Sequence, residues 1–195
     1  MNAASPSSRD RLLDSAEELV AAQGATSLTL DAVAKAAGVS KGGLLYHFPS
    51  KDALLEAMVD RHLGQIDRRV EALLASGGRY AANPVLAYVH ALLETVPAKR
   101  AVGAALLAAS ATNPALMQPC RLHYARTLER FGALPCGFER AATVLLAVDG
   151  LLLGELIHMS PFTPEQRERV VAGIVQLAEA CATAPEPGTR PGAAR

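Results

Sequence analysis

Apolar residues recur along this chain at intervals of three and four, and no stretch alternates convincingly between apolar and polar positions. That spacing gathers side chains on one face of a 3.6-residue helix, so the pattern predicts an all-α protein. A first helix is expected over Ser8–Gln23, stopped by Gly24, with Leu12, Ala16, Leu19 and Val20 on one face. A second runs from Thr29, its cap, through Gly38 to Val39, with Val33, Ala36 and Ala37 turned inward. Ser40 opens a short third helix that Pro49 closes. Ser50 caps a fourth, which carries Leu54, Leu55, Met58, His62, Leu63 and Ile66 and runs to about Ala75, before Ser76-Gly77-Gly78. The remainder reads as five helices: Pro84–Val96 capped by Asn83, Ala98–Ala111, one from Asn113-Pro114 to Phe131, Phe138–Met159, and a last one opened by Thr163-Pro164-Glu165-Gln166 and ending near Thr183. Met1–Pro6 is expected to be a mobile end, and residues 184–195, rich in Pro and Gly, a disordered tail.

The segment Ser40-Lys-Gly-Gly-Leu-Leu-Tyr-His-Phe-Pro-Ser-Lys51 is the most informative. A glycine inside a helix costs about 1 kcal/mol relative to alanine. A helix that accepts two, Gly42 and Gly43, near its start has a reason to keep its backbone bare, and close approach to another surface is a common one. Helix, glycine turn and short second helix make a helix-turn-helix, whose second helix enters the DNA major groove. Small Ala34 lets the helices cross tightly, Gly38 takes positive φ in the turn, and Leu44 anchors the recognition helix. The expected division is a DNA-binding domain over 1–60, a helical domain over 61–183, and the tail, with the fourth helix shared between the two domains.

Composition narrows the chemistry. Half of the residues are apolar, but aromatics are 4% and Trp is absent, so Leu, Ala and Val must fill the core. Net charge is zero, which points to no partner. Within the first sixty residues, five cations (Arg9, Arg11, Lys35, Lys41, Lys51) face eight acids (Asp10, Asp14, Glu17, Glu18, Asp31, Asp52, Glu56, Asp60). That balance is unusual for a DNA-binding head. Affinity must then come from where the cations sit and from N–H groups at helix N-termini. Cys120, Cys136 and Cys181 are an odd set without paired spacing, and no signal peptide is evident, which fits reduced thiols in the cytoplasm. The longest apolar stretch, Ala141–Ile157, is interrupted by Asp149 and Glu155, so no membrane span is expected. Cys120 and His123 stand at i and i+3, but no second close pair of ligands joins them, and His62, His90 and His158 lie on separate helices. No metal site and no cofactor are expected. Nucleophile elbow, phosphate loop and paired catalytic carboxylates are all missing, so no catalytic residue and no enzymatic activity is expected.

The last two long helices carry apolar residues on two faces each. One helix has Ala141, Leu145, Val148, Leu152 and Leu156 against Ala142, Leu146, Leu153 and Ile157; the other has Val170, Ile174, Leu177 and Cys181 against Val171, Val175 and Ala178. One stripe serves the subunit core and the second needs a partner, which predicts a four-helix homodimer interface. The interface is placed on Leu145, Val148, Leu152, Leu156, Val171, Ile174, Val175 and Ala178, although the pattern alone leaves open which stripe faces the partner. Gly150 and Gly154, four apart, mark a site of close helix packing.

The stretch Ser27–Leu55, with Tyr46-His47-Phe48 followed by a short linker and Lys51 before a new helix, resembles the TetR-type family of bacterial transcriptional regulators. The close resemblance covers about the first third of the chain; the rest is similar in layout only. It implies a regulator, most often a repressor, that binds a palindromic double-stranded operator as a homodimer and lets go when a small molecule binds. Carried over by position, Thr29 contacts phosphate, Lys41, Gly42, Gly43 and Leu45 lie on the face that meets bases, Tyr46, His47 and Lys51 bind phosphates, and Ser40 joins them as a DNA-binding residue. Lysine can reach guanine O6 or N7, and Leu45 a thymine methyl. Tyr88, Leu92, Leu106, Met117, Cys120, His123 and Tyr124 fall on the helices that surround the family's ligand pocket. The resemblance equally admits an activator, or a regulator without a ligand. Outside it stand an enzyme and a helical interaction module with an inactive head.

Overall fold

A computed structural model describes residues 7–24, 27–94 and 97–182. Met1–Pro6 and the expected tail lie outside them, as do Val96 and Thr183, the expected ends of two helices. The regular structure of the described residues is helical: α1 Ser8–Gln23, α2 Leu30–Ala36, α3 Lys41–His47, α4 Lys51–Ala75, α5 Pro84–Leu93, α6 Pro97–Ser110, α7 Gln118–Gly132, α8 Gly137–Leu156 and α9 Pro164–Glu179.

Local signals set most boundaries. Ser7, Thr29, Ser40, Ser50 and Thr163 each accept a hydrogen bond from a backbone N–H in the following turn, satisfying groups that a helix start otherwise leaves unpaired. Thr163 and Gln166 form a reciprocal capping box. α2 stops at Ala36 rather than Val39, because Gly38 turns back at φ +66°. Gly38 N–H then bonds Lys35 O at 3.2 Å and Val39 N–H bonds Ala34 O at 3.0 Å, the Schellman closure. Ala36 faces solvent instead of the core. The expected helix after Asn113 opens as a tight 3-10 turn, Pro114–Met117, before α7 begins. α8 ends three residues early, where His158 takes φ +56°.

The chain clusters into two compact units. One comprises Met1–Arg68, Glu94–Tyr124 and Leu153–Ser160; the other comprises Arg69–Leu93, Ala125–Leu152 and Pro161–Arg195. In the first unit α6 lies against α1, and Val102, Ala105, Leu106 and Leu116 share one buried cluster with Leu12, Leu13, Ala16, Val20, Val33, Leu44, Phe48 and Met58. The helix-turn-helix does not close its core alone.

In the second unit α5 is buried nearly all round, which is what a helix apolar on every side requires. Tyr88 packs edge-on against Phe131 with ring centroids 5.6 Å apart. Asn83, fully buried, is satisfied at both ends. Its Oδ1 accepts from Leu86 N–H at 3.1 Å, and its Nδ2 donates to Ala178 O at 2.8 Å. One amide thus caps the start of α5 and serves a carbonyl near the end of α9.

Candidate nucleic-acid interface

α3 is held from beneath and open above. Leu44 is 0% exposed and Phe48 is also buried, so the helix is pinned through its inner face. Burying a Leu side chain contributes about 1.5–3 kcal/mol. The outer face carries Lys41, Leu45 and Tyr46, all exposed, with Tyr46 at 85%. His47 is half-buried, its ring edge-on to Tyr46 at 5.1 Å. A Cβ added at Gly42 would find Ser40 Oγ at 4.0 Å, and one at Gly43 would find the same atom at 3.4 Å. The subunit's own packing therefore does not require glycine at either position.

Thr29 and Ser40 are exposed caps. Their hydroxyl oxygens accept from Ala32 N–H and Gly43 N–H, both at 3.1 Å. A hydroxyl that accepts one bond still has its own proton to donate, so each can reach an acceptor outside the molecule. Lys51 opens α4, exposed, beside a cleft of about 330 Å³ lined by Leu28, Asp52, Leu55, Ala105, Ala108, Ala109, Thr112, Asn113 and Leu116.

Three residues of the site escaped the sequence reading. Asp31, on α2, holds Lys41 Nζ at 2.9 Å; both side chains are exposed. Asn113 donates from Nδ2 to Asp52 Oδ2 at 2.9 Å, tying the corner after α6 to the first turn of α4 beside Lys51. Arg61, on α4, reaches α1: it pairs with Asp14, lies 3.4 Å from Glu17 Oε1, and donates to Asp10 O at 3.4 Å. A charge count that stops at Asp60 misses this guanidinium by one residue. Arg61 is paired with two of the eight acids and Lys41 with a third, although one guanidinium offsets only one of its two carboxylates. Asp10 is held below the usual carboxylate range, chiefly by the Ser7 hydroxyl. None of these links has a local signature, because each joins residues brought together only by helix packing.

Of the expected ligand residues, Tyr88 and Leu92 belong to the second unit, and Leu106, Met117, Cys120, His123 and Tyr124 belong to the first. Tyr88, Leu92 and Leu106 are buried as core. Met117 and Cys120 pack against the first unit's cluster, and His123 Nδ1 lies 3.7 Å from Asp67 Oδ2. Burial, then the charge of Asp60, pushes the Cys120 thiol up. No group of three or more metal-binding side chains occurs among the described residues, and no helix among them is long and apolar enough to cross a membrane.

The expected dimer residues differ in their exposure within the subunit. Leu145, Val148, Ile174 and Ala178 are buried within the subunit, while Leu152, Leu156, Val171 and Val175 are half-buried. Ile174 and Ala178 lie on α9, which packs on α5, so their area is already spent. The stripe left open on α8 is the other one: Leu146 is 64% exposed, Leu153 47% and Ile157, just past its end, 43%. Gly150 lies between them with nothing near its Cβ position, and Leu177 is exposed on α9.

Residues 12–58 match the family described as bacterial regulatory proteins, tetR family, and residues 82–179 match the tetracyclin repressor-like C-terminal domain. The HTH-type transcriptional repressor NemR of Escherichia coli K12 is 35% identical over 85 residues, 44% of this chain and 43% of that protein. The chain spans about half the length of the curated relatives it matches. The fold is similar to that of a transcriptional regulator from Rhodococcus sp. Rha1, with a TM-score of 0.69 and 24% identity, covering 92% of this chain and 100% of that one. It is also similar to a regulator from Saccharomonospora viridis in complex with choline, with a TM-score of 0.67 and 19% identity, covering 88% and 95%. The helix-turn-helix and the helical remainder are matched together, and the chain belongs to the TetR family of bacterial transcriptional regulators.

Proposed function

We propose that this regulator is a cytoplasmic homodimeric repressor that grips a palindromic operator with α3 and releases it when a small molecule binds. The observation that carries the reading is the outer face of α3, where Lys41, Leu45 and a largely exposed Tyr46 surround backbone that internal packing leaves bare. Lys41 leaves Asp31 for guanine O6 or N7, and Leu45 meets a thymine methyl. Tyr46, His47, Lys51 and the hydroxyls of Thr29 and Ser40 hold phosphates and so set the register. The exchange at Lys41 costs little, because exposed ion pairs contribute about 1 kcal/mol or less.

Two copies meet through Leu146, Gly150, Leu153 and Ile157, helped by Leu177. Glycine between leucines lets two helices approach closely, and the pairing fixes the spacing of the two α3 helices. Operator half-sites then lie about one helical turn apart, or a multiple of it. The effector contacts Met117, Cys120, His123 and Tyr124, which remain half-buried. The choline held by the Saccharomonospora neighbour supports a small-molecule site in this fold without naming the effector of this chain. Release requires tighter ligand binding to the state with mis-spaced heads, and operator DNA must weaken ligand binding by the same factor. The Asp52–Asn113 bond gives such a change a direct hold on the first turn of α4.

Selection of genomic fragments by the purified protein tests the reading. An enriched palindrome with half-sites at that spacing is the expected result. Recovery of fragments without a shared sequence would overturn it, and a bound compound that leaves operator affinity unchanged at saturation would overturn the coupling.

A further inference from the structure

The cleft beside Lys51 lies wholly within the first unit. Leu28, Leu55 and Leu116, all buried, make its floor. One wall is α6, which contributes Ala105, Ala108 and Ala109. Spacing of three and four puts these alanines on one helix face, and their short side chains leave the space open. A volume of about 330 Å³ stands at the small end of ligand clefts, which run from about 300 to 1,000 Å³. The polar part of the lining carries both signs of charge: Lys51 and Asp52 from α4, with Thr112 and Asn113 from the corner after α6. Asn113 Nδ2 donates to Asp52 Oδ2 at 2.9 Å, and Thr112 Oγ1 donates to Ala109 O at 2.9 Å. A carboxylate accepts at both oxygens and an ammonium donates three times, so Asp52 Oδ1 and Lys51 Nζ can each take a group from outside. Met117, Cys120, His123 and Tyr124 lie outside this lining.

We propose that this cleft binds a small zwitterion with an apolar body, the class of the aliphatic α-amino acids. Its carboxylate meets Lys51, its ammonium meets Asp52, and its side chain covers the leucine floor. The charges select the class. A simple anion would be repelled by the Asp52 carboxylate, and a simple cation by the Lys51 ammonium. A molecule that carries both charges side by side satisfies each, and its apolar end removes leucine and alanine surface from water. Lys51 is also the residue that the proposed function gives to a DNA phosphate, so an occupied cleft withdraws it from the duplex. Only this competition rests on the DNA-binding reading; binding itself is a property of the DNA-free subunit. By linkage, bound operator weakens the amino acid by the same factor. The site competes for one phosphate contact and needs no change in the spacing of two heads.

Titration of the DNA-free full chain with L-leucine, read by calorimetry and thermal shift, tests the site. Saturable binding is the expected result. Three analogues each lack one feature: 4-methylpentanoate the ammonium, isopentylamine the carboxylate, and glycine the apolar body. Each should bind at least about 10-fold more weakly. Ala108→Leu puts a larger side chain at an exposed position of the wall; it should abolish leucine binding and leave operator affinity and the thermal midpoint unchanged. Asp52→Asn can still accept from Asn113. It should weaken leucine about 10-fold and raise 4-methylpentanoate to the same level, a change of preference that lost packing would not produce. On the operator, saturating leucine should lower affinity about 5- to 10-fold and reduce the salt slope by about 1. Lys51→Ala should show no such fall on adding leucine. Absence of saturable binding, or equal binding of leucine and 4-methylpentanoate by the unaltered chain, would overturn the proposal while operator selection still stands. Leucine that binds and leaves operator affinity unchanged would overturn the competition.

Discussion

α3 and the outer face of α8 both show apolar side chains to water, yet in different chemical company. On α3 the exposed Tyr46 and Leu45 stand beside Lys41 and two bare glycines, on a seven-residue helix anchored by one leucine. On α8 the open stripe of Leu146, Gly150 and Leu153 runs on to Ile157 with no charge among its positions. A surface that mixes cations, an aromatic and exposed backbone suits a polar, anionic partner. A continuous apolar stripe on a long helix suits another helix of the same kind. Exposure by itself says that something is missing; the neighbours say what.

The widest separation between the two surfaces should come from Leu153→Glu. A charge buried across the dimer would raise the dimer dissociation constant by roughly 100-fold or more, read by sedimentation, with the far-UV spectrum unchanged. Loss of dimer together with operator affinity, while weak non-specific DNA binding persists, would keep the two surfaces distinct. Next, Lys41→Ala should cost about 1–3 kcal/mol at the operator and relax discrimination at one base position, measured by binding to single-base operator variants. Lys51→Ala should weaken operator and random duplex alike, and reduce the salt slope by about 1. Equal behaviour of these two lysine variants across sequences would erase the distinction between base and phosphate contacts. The smallest change is expected from Asp31→Asn. It frees Lys41 and removes one negative charge near the DNA, so binding should tighten by about 2- to 5-fold at low salt and less at high salt.

The same contrast governs what could be read from the residues. The head was legible in detail because its instructions are local. Caps stand next to the helices they start, Gly38 sits where the chain must reverse, and Leu44 is a lone apolar anchor on a polar helix. The stripe on α8 was legible as a pair of alternatives and no further. Leu145 and Leu146 have the same chemistry and the same spacing; one is buried and the other open only because of where the rest of the subunit packs. The place of Leu106 was not legible for a related reason. A leucine lining a cavity and a leucine shared with the core of α1 are identical in sequence, and the packing of α6 against α1 decides between them.

Periodicity, punctuation and the Tyr46-His47-Phe48 context by themselves determined an all-helical chain, a helix-turn-helix near its start, and the kind of surface that α3 would show. Those properties follow from backbone geometry within a turn or two of each residue. Tertiary structure alone decided that α6 completes the core of the head, that Arg61 pairs with acids of α1 and Lys41 with Asp31, and that Asn113 holds the start of α4. Each of these joins side chains separated by many residues. Their meeting depends on the relative placement of whole helices, which no interval of three or four encodes.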